Sequence, residues 1–224
     1  MRVLGVETST LAGGVALLDD ERVVGEYLLD ISLTHSERLM VAIDRVLGDA
    51  RWDLGDVDAL AVAVGPGSFT GLRIGLGTVK GLALARALPI AAVPTLDAMA
   101  AGLPFAAFPV CPVIAARKDE VYTSLYRWSG AEMCREWEYL ALRPDELAAR
   151  LSEATIVLGA AGRTVRSPHA RPAPAARRGP SAACVAQLGL ERARRGETVD
   201  AGQLLPLYLR PSEAEVKHRG VAVA

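Results

Sequence analysis

Residues 59–64 read Ala-Leu-Ala-Val-Ala-Val, six apolar side chains in a row that stop abruptly at Gly65-Pro66-Gly67. A strand with one wet face alternates apolar and polar, so an unbroken run of this length suits a central strand covered above and below. The flanking sequence supplies helices to cover it. Ahead of the run, Thr34-His35-Ser36-Glu37 has the Thr-x-x-Glu spacing of a capping box, and Leu39, Met40, Ile43, Val46 and Leu47 follow at helical spacing up to Gly48. Behind it, Leu72, Leu76, Val79, Leu82 and Ala83 mark a helix over 70–87, then a strand at 90–93 and a short helix near 95–102. Strand, helix, strand, helix is the order of an α/β layer. Three short strands, 2–6, 14–18 and 22–29, precede all of this as an antiparallel start, separated by Thr8-Ser9-Thr10 with Gly13-Gly14 and by Asp19-Asp20.

A shift in composition around 103–109 places a domain boundary there, giving a first unit over 1–106 and a second over 107–224. The second unit is expected to hold strands at 110–115 and 120–127, a third within 133–140, a helix over 144–151 and a buried strand at 156–158. From 162 to 180 the chain is rich in Arg, Pro and Ala and has no acid; Arg163, Arg166, Arg171, Arg177 and Arg178 lie between prolines that forbid a long helix. It reads as a solvated surface loop or as a small anion or RNA contact. A last helix follows at 182–195, and the apolar stretch 204–211 is expected to pack back on the first unit.

Composition removes several function classes. With 25 Lys and Arg against 26 Asp and Glu the net charge is −1, so no global positive field draws nucleic acid or an anionic membrane. Three scattered cysteines, Cys111, Cys134 and Cys184, give neither a disulfide framework nor a CxxC metal pair, and a reducing cytoplasm is the natural setting. No stretch has the length and hydropathy of a membrane span. His35, His169 and His218 belong to no HxxxH or HExxH, and no GxSxG elbow exists, so neither a zinc site nor a serine hydrolase has a motif here.

The strongest local feature is Gly65-Pro66-Gly67-Ser68-Phe69-Thr70-Gly71-Leu72-Arg73, a glycine-rich turn between buried strand and helix. Such a junction can expose helix amides to an anion or serve as a tight structural turn. It is neither a Walker loop nor GxGxxG. With Thr8 and Ser9, the residues Gly65, Gly67, Ser68, Thr70, Gly71 and Arg73 form a candidate loop for an anion contact. The helix that follows carries Gly71, Gly75, Gly77 and Gly81, each costing about 1 kcal/mol relative to alanine, so two strips spaced four apart need a close-packed neighbour in return. Glu7 between the first strands is a lone carboxylate, with no second acid to complete a catalytic pair.

Taken in order, Val6-Glu7-Thr8-Ser9-Thr10, His35-Ser36-Glu37-Arg38-Leu39, the run Gly65 to Gly75, Lys80-Gly81-Leu82-Ala83, Pro94-Thr95-Leu96-Asp97-Ala98-Met99-Ala100 and Ala116-Arg117-Lys118-Asp119-Glu120-Val121-Tyr122 resemble the TsaB (YeaZ) family. The likeness covers 2–127, and beyond Tyr126 only Tyr208-Leu209-Arg210-Pro211 is similar. It implies an actin-like, Hsp70-like (ASKHA) α/β fold with two lobes, mixed sheets covered by helices. It further implies a catalytically silent paralogue of TsaD, the transferase that threonylcarbamoylates the adenosine next to the anticodon of tRNAs reading ANN codons. Where TsaD has a metal-binding HxxxH, Thr95 to Ala101 has no histidine. The implied partners are TsaD, TsaE and, through the complex, tRNA, with a homodimer when the chain is isolated. No catalytic residue, metal or tightly bound cofactor is expected, ATP being used by the complex. The helices 36–48 and 70–87 would bind TsaD, with Leu39, Ile43, Leu72, Gly75, Leu76 and Val79 as contacts. An ATP-dependent or metallopeptidase-like enzyme on the same fold is the alternative.

Overall fold

The computed structural model describes residues 1–30, 35–117 and 119–209. The run 59–64 does lie at the heart of a sheet. Strands β1 (Arg2–Glu7), β2 (Ala12–Asp19), β3 (Arg22–Asp30), β4 (Ala59–Gly65) and β5 (Ile90–Pro94) pair in the order β3-β2-β1-β4-β5. The hairpin start is antiparallel, while β1, β4 and β5 run parallel, so their carboxyl ends share one side of the sheet.

Alternation along β4 sorts its side chains by what covers them. Leu60, Val62 and Val64 face helices α1 (His35–Ala50) and α2 (Phe69–Arg86), and pack with Leu39, Ile43, Val46, Leu76 and Val79. Ala59, Ala61 and Ala63 face the other way, toward α5 (Ala182–Arg194), and pack with Val185, Ala186 and Leu190. The methyl groups on this second face let α5 approach closely: a Cβ at Gly189 would run into the Ala61 methyl, and one at Gly5 into the Ala182 carbonyl. The expected split at 106/107 assigns 182–194 to the second unit, but the contacts put that helix on the first sheet, because its small face fits only the alanine layer there. Leu204 is likewise buried with the first sheet's core, and the Leu207 amide donates to the Val64 carbonyl at 2.8 Å.

The second sheet is built on β6 (Val110–Ala115) and β11 (Thr155–Leu158), which run parallel. β7 (Val121–Thr123) and β10 (Leu140–Leu142) extend it on one side and β12 (Ala170–Pro172) on the other. The single strand expected over 120–127 is two: β7 and β8 (Tyr126–Trp128) break at Ser124, whose hydroxyl donates to the Trp137 carbonyl at 2.7 Å. β8 pairs instead with β6 and with β9 (Met133–Arg135). Helix α4 (Pro144–Arg150) buries Leu147 against Cys111, Val113 and Val157.

Helix α3 (Thr95–Ala101) lies between the sheets, with Ala98 in the first sheet's core and Leu96, Met99 and Ala100 in the second's. Its Asp97 Oδ1 accepts the hydroxyls of Tyr126 (2.7 Å) and Tyr139 (2.8 Å) from the second lobe, and its Oδ2 faces Arg192 of α5 at 3.9 Å. Burial, with the Asp97 charge adding to it, raises the ionisation of both tyrosines and keeps them as donors. No described helix is long and apolar enough to cross a membrane.

Candidate functional site

The ends of β1 and β4 meet where the two sequence-singled loops do. The Ser68 amide donates to the Ser9 carbonyl at 2.7 Å, and Gly67 lies against that same carbonyl. Gly65 has φ +115, a left-handed geometry that only glycine takes without strain, and its bare Cα faces the Leu207 carbonyl. Thr8 Oγ1 donates to the Gly71 carbonyl at 2.8 Å, and this contact explains Gly75 one turn further on: a Cβ there would overlap Thr8 Oγ1.

The candidate anion loop is therefore closed on itself at several points. Ser68 caps α2, its Oγ accepting the Gly71 amide at 3.2 Å. Thr70 is exposed on the first turn, and Arg73 stacks on the Phe69 ring 3.9 Å away, with Phe69 in turn on Tyr208. Beneath lies Glu7, wholly buried. Its Oε1 accepts the Ser9 amide, while Oε2, Ser9 Oγ and Thr95 Oγ1 have no partner among the described residues. Burial pushes the Glu7 carboxyl up to about 7, the adjacent Ser9 opposing it.

Between the lobes these loops border a cleft of about 470 Å³, lined by Ser9, Leu11, Ser68, Met99, Ile114 and Arg178 among others. A metal-bound nucleotide, which the expected actin-like fold would bring to such a cleft, does not fit the residues here. The lining has one cation, Arg178, whose Nε is committed to the Ala173 carbonyl, and no acid. Among the described residues no group of three or more His, Cys, Asp or Glu is placed to hold a metal.

The second candidate region is the pair of helices. Leu39, Ile43, Leu72, Leu76 and Val79 are buried in the first lobe's own core, and Gly75 faces Thr8. The expectation that these six contact a partner is corrected: they lie on the inward faces, because the apolar stripe that makes each helix amphipathic is the stripe that covers the sheet. What faces outward is the other glycine pair. A Cβ at Gly77 or Gly81 would meet nothing within 4 Å. Leu84 (76%) on the same helix and Met40 (51%) and Val41 (65%) on α1, which packs against α2, are exposed apolar side chains. Met40 was read with the apolar positions of its helix and is exposed, while Val41 and Leu84 lie off both stripes, which was the available signal. The capping-box residue Thr34 and the histidine at 218 lie outside the described residues, as do Arg210 and Pro211.

Residues 30–151 match the family model described as TsaD: tRNA N6-adenosine threonylcarbamoyltransferase. The tRNA threonylcarbamoyladenosine biosynthesis protein TsaB of Bacillus subtilis is 32% identical over 228 residues, covering 97% of each chain. This chain belongs to the TsaB family. The Escherichia coli TsaB is 39% identical over 140 residues, 59% of this chain and 60% of that one. A solved Pseudomonas aeruginosa structure described as similar to peptidase YEAZ superposes with TM-score 0.80 at 34% identity, covering 93% of this chain and 99% of that one. Component A of the Acidaminococcus fermentans (R)-2-hydroxyglutaryl-CoA dehydratase, at 12% identity and TM-score 0.51 over 87% of this chain and 99% of that one, shares the fold alone. The fold is thus the actin-like one, α/β with mixed sheets under helices, in a family named for tRNA threonylcarbamoyladenosine biosynthesis.

Proposed function

We propose that this TsaB-family chain is a non-catalytic subunit that binds and activates the TsaD transferase through the outward faces of α1 and α2. One observation carries the reading: Gly77 and Gly81 form an open, side-chain-free strip on α2, where Leu84 is exposed, and the adjoining α1 exposes Met40 and Val41. Glycine in an exposed helix interior costs stability without local return, so its return lies in what docks on it. A helix from another chain can approach such a strip to backbone distance while the flanking apolar groups bury against it. The contact set is therefore the outer one, Met40, Val41, Gly77, Gly81 and Leu84.

Activation works through differential affinity. A partner conformation that fits the strip is stabilised by as much as its contacts exceed those of the alternative. Catalysis resides in TsaD in this reading, and the absence of histidine from α3 and the closure of the Ser68 loop support that division. TsaE and tRNA join at the level of the complex, ATP is used there, and the chain itself holds no cofactor tightly. Without TsaD the same face pairs with a second copy, since an apolar patch left in water favours self-association.

The test is co-purification of tagged TsaD with the wild-type chain and with Leu84→Arg, coupled to mass spectrometry of tRNA nucleosides from depleted, complemented cells. Loss of the complex and of threonylcarbamoyladenosine with an unchanged monomer melting curve is the expected result. A variant that still forms the complex overturns the interface.

A further inference from the structure

Charge is distributed unevenly between the two halves of the chain. Residues 1–106 hold eight Lys and Arg against thirteen acids, a net −5, and residues 107–224 hold seventeen against thirteen, a net +4. Within the second half, 154–190 is a stretch of 37 residues with five arginines and no acid.

The fold gathers these arginines along one margin of the second sheet. β12 runs parallel to β11 at the sheet's edge and carries Arg171, exposed. Arg163 ends the turn that follows β11, and Arg177 and Arg178 belong to the turn that follows β12. Because the two strands are parallel, both turns lie at their carboxyl ends, the side where the cleft opens between Ala161, Ala175 and Arg178. Arg166, exposed, sits on the connection between them.

None of the five faces a described carboxylate, as several arginines elsewhere in the chain do. Arg2, Arg22, Arg45, Arg127, Arg143, Arg192, Arg194 and Arg195 each face a carboxylate within 4 Å. Arg171 and Arg178 donate only to backbone carbonyls, of Pro168 and Ala170 and of Ala173. The guanidinium groups of Arg163, Arg166 and Arg177 have no hydrogen bond or ion pair to any described residue; the Arg177 main-chain amide donates to the Pro174 carbonyl. Five guanidinium groups within sixteen residues, none of them salt-bridged to a described carboxylate, repel one another, and that cost is recovered when an anion reaches them.

We propose that this margin, Arg163, Arg166, Arg171, Arg177 and Arg178, docks the sugar–phosphate backbone of RNA. The choice of RNA over an acidic protein rests on the proposed place in tRNA modification and on the residue type. Arginine's planar fork pairs bidentately with phosphate, whereas lysine, absent from 154–190, does so only as a point charge. Pro168, Pro172 and Pro174 restrict the backbone between the arginines, which lowers the entropy lost on docking.

The test uses the full chain and a fluorescein-labelled unmodified tRNA transcript, with anisotropy read from 50 to 200 mM KCl. Five phosphate contacts give a slope of log K on log salt of about −3.5 to −4.5, an affinity loss of roughly 100- to 500-fold over that range. The combined variant Arg163→Gln, Arg166→Gln, Arg177→Gln is expected to lose roughly 100-fold in affinity at 50 mM and to flatten the slope by about 2 to 3. Lysine at the same three positions keeps the slope, which separates lost charge from lost folding. No tRNA binding at 50 mM, an unchanged slope in the glutamine variant, or equal affinity for polyglutamate of matched charge overturns the proposal. TsaD co-purification with the same glutamine variant keeps the two readings apart. A complex that forms while tRNA binding is lost supports both, and tRNA binding by a wild-type chain that forms no complex overturns only the partner reading.

Discussion

Replacing Glu7 with glutamine tests the electrostatic core of the first lobe. The carboxyl is fully buried, one oxygen accepts the Ser9 amide and the other has no partner among the described residues. Burial raises its pKa from an ordinary 4.5 to about 7. Between these two values the folded protein keeps the proton that the unfolded chain has released, so folding takes up a proton and stability falls as pH rises. The contribution is intact below about pH 4.5 and fully lost above about pH 7. At 1.36 kcal/mol per pKa unit the wild type loses about 2 to 3 kcal/mol between pH 5 and pH 8 through this one group. Glutamine has the same shape, still accepts the Ser9 amide and does not titrate. Thermal melts of both proteins at pH 5, 6, 7 and 8 should therefore diverge, the variant gaining roughly 4 to 12 °C on the wild type across the series. Parallel melting profiles would refute the reasoning, since they require a Glu7 that ionises in the folded state as it does in the unfolded chain.

The two glycine strips of α2 should respond oppositely to a methyl group. Gly75→Ala drives its Cβ into Thr8 Oγ1, and denaturant titration should give a loss of about 1 to 3 kcal/mol. Gly77→Ala meets open space and should raise stability by about 0.5 to 1 kcal/mol in the same assay, while calorimetric titration with TsaD gives a weaker complex. Asp97→Ala strands the hydroxyls of Tyr126 and Tyr139; urea unfolding should lose about 1 to 3 kcal/mol for the buried Tyr126, and limited proteolysis near 103–109 should accelerate.

The sequence carried the first lobe well because its elements announce themselves locally. The six-residue apolar strand, the two amphipathic helices and the glycine-rich turn each depend on neighbours within one or two turns of chain. The second lobe was harder for a physical reason: its strands are three residues long in β7, β8, β9, β10 and β12, too short for a period to emerge. The break at Ser124 comes from a hydroxyl reaching a carbonyl thirteen residues away, which no window of sequence contains. At the site, Ser68, Gly71 and Thr8 were recognisable from spacing, but their mutual hydrogen bonds turn an apparent anion loop into a closed corner. The helix faces were misassigned because an apolar stripe such as Leu39, Ile43, Leu72, Leu76 and Val79 suits a sheet or a partner equally in sequence, and only the three-dimensional position of the sheet shows that it is the buried one.

Helix α5 completes the first sheet although it lies more than a hundred residues after the last of that sheet's β4. During synthesis, therefore, the first lobe cannot close when its own strands emerge. Val3, Leu18, Ala61, Ala91 and Val93 stay uncovered on one side until Ala182–Arg194 has left the ribosome. The second lobe is nested inside the first in the order of manufacture, so it is free to settle earlier, and the cleft between them takes shape last.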